Sequence, residues 1–114
     1  MPAIHTRASV AISPEKQENI KMKLGKAIEL LPGKSEAWLM CSFEPECPIY
    51  FQGSDVQPSA FIEVMLYGKT DEAHSNRLTG AITEIIREEL DIPPERIYIK
   101  YEEVAYWGWN GQNL

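Results

Sequence analysis

Pro2, which directly follows Met1, is the residue with the most chemistry to offer in this chain. An initiator methionine is normally trimmed before a small residue. Trimming here leaves a secondary amine whose ring fixes the direction of its lone pair. An ordinary α-amino group has a pKa of roughly 7.7–8.0, and an apolar pocket disfavours its charged form, so a value near ~6 would suit a general base at neutral pH. The other reactive residue types are scattered. His5 and His74 share no metal-ligand spacing with each other or with Cys41 and Cys47, so no metal is expected. The two cysteines do not form C-x-x-C and are too few for a disulfide framework. Gly68-Lys69-Thr70 stands where a phosphate-binding loop belongs, but the glycine needed five residues earlier is Glu63. Gly33-Lys34-Ser35 fails in the same way, with Ile28 at that position. Trp38, Trp107 and Trp109 lack interleaved basic residues, so they read as core or interface packing rather than a base-stacking platform.

The elements that must position Pro2 follow from periodicity. A strand over 3–8 precedes a helix opened by Ser13-Pro14-Glu15, with Ser as N-cap, Pro in the first turn and an acid beside it. Ile20, Leu24, Ala27, Ile28 and Leu31 recur at helical spacing until Pro32-Gly33. Residues 36–43 read as a strand apolar on both faces, and 49–51 as a short edge strand before Gly53. The second half repeats the order. A strand over 60–67 leads to a helix capped by Thr70 or Asp71 and carrying Leu78, Ala81, Ile82, Ile85, Ile86 and Leu90, and Pro93-Pro94 separates it from a strand over 97–101. This predicts an α+β fold of two β-α-β units, with a four-stranded mixed sheet and two helices on one face. Strands apolar on both sides, with helices available for only one face, also predict a homo-oligomer.

Length and composition agree with a single domain over 1–114, since 44% of its 114 residues are hydrophobic and 25% charged. The net charge of −6 argues against nucleic acid or an anionic membrane as partner. No apolar run approaches the ~20 residues of a membrane span, and the first residues lack the layout of a signal peptide. A reducing, cytoplasmic setting is the default.

Read together, Met1-Pro2, Gly33-Lys34, Phe51-Gln52-Gly53-Ser54, Gly68-Lys69, Pro94-Glu95-Arg96-Ile97-Tyr98-Ile99 and Gly108-Trp109-Asn110 resemble the macrophage migration inhibitory factor family of the tautomerase superfamily. The resemblance covers nearly the whole chain. It implies a homotrimer with sites between subunits and cofactor-independent keto–enol tautomerisation of phenylpyruvate-like or dopachrome-like carboxylates. It further implies that Pro2 is the catalytic base, that Lys34 pairs with the substrate carboxylate and that Tyr98 reaches the site from a neighbouring subunit. Three positions depart from the family pattern. Lys100 stands where Asn is frequent, and either adds a second cation for a carboxylate or points to solvent; Tyr67 before Gly68 and Trp107 before Gly108 suggest a narrower or reshaped pocket, and all three belong with the substrate-binding candidates. Ser59-Ala60-Phe61-Ile62 replaces the C-x-x-C of some relatives, so thiol-redox activity is not expected. The alternative that the resemblance offers is a signalling ligand exported without a signal peptide, binding a protein receptor independently of catalysis. Hydration or dehalogenation of small unsaturated acids ranks lower, because Arg7 is the only arginine near Pro2 in sequence.

Overall fold

The computed structural model describes residues 1–114. Strand β1 (Pro2–Ala8) is followed by helix α1 (Pro14–Ala27), β2 (Met40–Glu44), β3 (Ala60–Tyr67), α2 (Glu72–Leu90), β4 (Ile97–Val104) and the short strands β5 (Gly108–Trp109) and β6 (Gln112–Asn113). The main sheet has the order β2-β1-β3-β4. The outer pairs β1–β2 and β3–β4 are parallel, and β1–β3 at the centre is antiparallel. Two parallel β-α-β units therefore meet back to back, which is the expected mixed sheet.

Alternation along the strands sorts the residues by face. Ile4, Thr6 and Ala8 of β1 and Ala60, Ile62, Val64 and Leu66 of β3 are buried. All but Thr6 pack with Ile20, Leu24 and Ile28 from the first helical segment and Leu78, Ile82 and Ile86 from α2 into one core. The helices are tied to each other by Lys23, whose ammonium lies 3.0 Å from Glu88 and 2.7 Å from Glu89. The opposite face carries Ala3, His5 and Arg7, then Phe61, Glu63, Met65 and Tyr67, then Tyr98, Lys100, Glu102 and Val104. No helix covers it.

Both caps act as their residue types require. Ser13 Oγ accepts from the Lys16 N–H at 3.1 Å, and Asp71, rather than Thr70, accepts from the His74 N–H at 2.8 Å. Asp91 ends α2 in the left-handed region at φ 54°, a conformation that Asp tolerates.

Four expectations need correction. Helix α1 ends at Ala27, and its continuation tightens into a 3₁₀ turn over Ile28–Leu30 that still buries Ile28. Residues 36–43 are not one strand: Glu36–Trp38 form a 3₁₀ turn, and β2 starts only at Met40. Nor is β2 apolar on both faces, since Cys41 and Phe43 turn to the core while Met40 stays 72% exposed beside Ser42 and Glu44. Residues 49–51 form no strand in this chain. Phe51 and Ser54 instead exchange backbone hydrogen bonds of 3.0 and 3.1 Å around Gln52 and Gly53, both at positive φ. The β5–β6 hairpin was not expected, although Asn110-Gly111, with φ of 53° and 87°, is a strong two-residue hairpin signal.

Candidate active site

Pro2 opens β1 on its buried face, opposite Leu66 of β3. Two other candidates converge here. The Lys34 Nζ, carried by a turn through Gly33 at φ 79°, donates to the Tyr67 carbonyl at 3.1 Å. The Tyr67 N–H donates to the Met1 carbonyl at 3.1 Å. That carbonyl belongs to the peptide bond that makes the Pro2 nitrogen an amide, so its oxygen sits about 2.3 Å from the nitrogen. The Met1 ammonium lies against Lys34, and partial burial followed by the Lys34 charge holds its pKa below the ordinary α-amine value of 8.0. The Met1 nitrogen therefore has both perturbations that favour a neutral amine.

Lys34 takes part in none of the ion pairs. Its ammonium donates to a neutral carbonyl and lies against the Met1 amine, so no carboxylate pairs with its charge. The carboxy-terminal segment closes over the same region. Tyr67 donates its hydroxyl hydrogen to the Leu114 carbonyl at 3.2 Å, and the Leu114 N–H donates to the Trp107 carbonyl at 3.0 Å. Tyr67 and half-buried Trp107 are thus linked through Leu114. On the hairpin, Trp109 meets Trp38 edge-to-face, with ring centroids 5.1 Å apart and both rings about half exposed.

Tyr98 and Lys100 lie elsewhere. Tyr98 pairs with Phe61, five positions along β3 from the partner of Pro2, which is about 16 Å. Its ring is 60% exposed and packs edge-to-face on Phe51 at 5.2 Å. Within one chain it cannot reach Pro2. Lys100 stands beside Glu63 in the middle of the open face, and its ammonium is 3.1 Å from Glu63 and 3.4 Å from Glu102.

Sequence reasoning gave no role to Arg96, which is buried at 8% exposure. Its guanidinium donates to the Pro58 carbonyl at 3.1 Å, Ser59 Oγ at 2.8 Å, the Ser54 carbonyl at 3.0 Å and the Phe51 carbonyl at 3.4 Å, and it stacks on the Phe51 ring. It thereby fixes the ring that buttresses Tyr98.

The thiols are poorly suited to chemistry. Burial, then Glu36, pushes Cys41 up to about 11, and a hydrogen bond to Glu44, then burial, raises Cys47 as well. No three His, Cys, Asp or Glu side chains are grouped to hold a metal ion. No helix is long and apolar enough to cross a membrane.

The Leishmania major MIF2 crystal structure is similar at 34% identity, with a TM-score of 0.94 over 100% of this chain and 97% of that one. A migration inhibitory factor homologue from Prochlorococcus marinus matches at 32% identity, with a TM-score of 0.87 over 97% of each chain. The macrophage migration inhibitory factor of Xenopus laevis is 26% identical over 116 aligned positions, covering 100% of this chain and 99% of that protein. The sequence model for macrophage migration inhibitory factor (MIF) matches residues 1–114, and the chain belongs to that family.

Proposed function

We propose that the chain, once Met1 is removed, is a cofactor-independent keto–enol tautomerase of phenylpyruvate-like or dopachrome-like carboxylates, with Pro2 as general base. The observation that carries this reading is how the Met1 peptide is held. Tyr67 directs a backbone N–H at an oxygen about 2.3 Å from the Pro2 nitrogen, with Lys34, which forms no ion pair, beside it. Removing Met1 turns that amide into a basic secondary amine and frees the Tyr67 N–H together. Lys34 then pairs with the substrate carboxylate, and the Tyr67 N–H donates to the enol oxygen. The Pro2 nitrogen takes a proton from oxygen or carbon and returns it to the other atom, so no redox partner is required. Trp107, through its hold on Leu114, shapes the wall of the pocket.

The working assembly in this reading is a homotrimer. The helix-free face of the sheet and the edges of β2 and β4 need partners, and Tyr98 completes a site only by reaching Pro2 of a second copy. Hydration or dehalogenation chemistry is less well served, because Arg7 is engaged by Glu63 at 2.6 Å and lies 3.6 Å from Glu44.

The test combines intact-mass analysis, light scattering and an assay of phenylpyruvate enol on one sample. Met-free protein should be trimeric and active, and Met-retaining protein should be silent. Because the neutral amine is the base, kcat/KM should fall as pH drops through its pKa. Burial and Lys34 already hold the Met1 amine below 8.0, and a Pro2 amine exposed at the same end of β1 should be lowered in the same direction, with the plateau reached below pH ~8. Equal activity with and without Met1 refutes the mechanism.

A further inference from the structure

The two lysines assigned to substrate binding differ in charge state of their surroundings. Lys34 donates to a neutral carbonyl and forms no ion pair. Lys100 is the end of a ladder across the open face: Arg7 of β1 lies 2.6 Å from Glu63 of β3, and Glu63 lies 3.1 Å from Lys100 of β4. Glu102 adds a second carboxylate 3.4 Å from the same ammonium. The side chain of Glu63 is only 18% exposed, so it is held between two cations with little room to turn away. Arg7 and Lys100 set against Glu63 and Glu102 leave no net positive charge.

The geometry points to Glu63 as a specificity-determining residue: by neutralising Lys100 it withholds that cation from a substrate carboxylate, and the site accepts monocarboxylates in preference to dicarboxylates. This rests on the trimeric tautomerase reading, in which Lys100 accompanies Tyr98 on the same face of β4 into the neighbouring copy's site. A substrate carboxylate can bind Lys100 only by displacing Glu63, an exchange of one carboxylate for another that yields little. The Lys100 pKa is raised by Glu63 first and Glu102 second, as an engaged ammonium requires, and Lys100 lowers that of Glu63. Glu63 acts through Lys100 and touches no reacting atom, so it is a positioning residue.

The experiment uses Met-free trimer and two compounds with the same reacting end, phenylpyruvate and 4-carboxyphenylpyruvate. Glu63→Gln should lower KM for the dicarboxylate about tenfold and leave the monocarboxylate within about twofold. Lys100→Gln alone should keep the preference for the monocarboxylate over the dicarboxylate. The double variant should lose the dicarboxylate gain, which separates charge release from a packing effect. Glu63→Ala serves as a second variant with the same expected direction if Glu63→Gln assembles poorly. An unchanged dicarboxylate KM in trimeric Glu63→Gln overturns the inference while leaving the tautomerase reading intact. So does a loss of the monocarboxylate preference in Lys100→Gln. If the wild-type trimer ketonises neither compound, the tautomerase reading itself fails, and calorimetry with hydrocinnamate and its para-carboxylate then decides the charge argument by binding alone.

Discussion

The two β-α-β halves share a plan but differ in how firmly they are fastened. In the second half β3 and β4 are each eight residues long, α2 runs for 19, and Arg96 locks the start of β4 to the preceding loop. In the first half α1 has 14 residues and loosens into a 3₁₀ turn, and β2 has five with an exposed Met40. Yet the first half holds Pro2 and Lys34. The looser unit carries the proposed chemistry, and the tighter one supplies backbone groups and side chains that meet it.

Four measurements would break or sharpen that contrast. The largest effect expected is on activity from the first half: Pro2→Gly should reduce kcat/KM about 10²- to 10⁴-fold, with no loss of thermal stability. Second comes a stability effect from the other half. Arg96→Ala should cost about 2–4 kcal/mol in denaturant titration, because it strands several acceptors that it now satisfies, and Arg96→Lys should restore only part. If Arg96→Ala were as stable as wild type, the second half would not be the fastened one. Lys34→Gln should raise KM for a carboxylate substrate about tenfold while leaving its methyl ester unaffected. Smallest are the caps, where Ser13→Ala and Asp71→Ala should each cost about 1 kcal/mol by thermal unfolding. Asp71 also meets the His74 ring at 2.6 Å, so its removal should cost the more of the two.

Much of the fold was legible because each strand and helix advertises its period. Ile62, Val64 and Leu66 alternate, and Leu78, Ile82 and Ile85 recur at helical spacing. Where the reading slipped, local composition misled. Ala37, Trp38 and Leu39 are apolar enough to look like a strand, yet they belong to a turn and its exit, because the parallel pairing with β1 begins at Met40. The Asn110-Gly111 pair carries a hairpin signal of its own, but the flanking strands have only two residues each and show no alternation. The site divides similarly. Pro2 could be picked out from its place behind Met1, and Lys34 and Tyr98 from family resemblance. The pairing of Lys100 with Glu63 depends on the register of β3 against β4, which no local pattern reveals. Arg96 was invisible for another reason: most of its partners are main-chain carbonyls of a loop, and a sequence does not display carbonyls.

Those neutral acceptors give Arg96 a property that the other basic clamps lack. Arg7, Lys23 and Lys100 hold on to glutamates, including Glu63 and Glu89, whose pKa values are lowered in the folded chain. Their contribution is present above the unfolded carboxylate range and is lost as acid protonates them. Nothing that Arg96 holds can be protonated in that range, since its partners are carbonyls and one hydroxyl. Acidification should therefore unpick the ion pairs between the helices and across the open sheet first, while the loop from Phe51 to Ser59 stays pinned to the foot of β4.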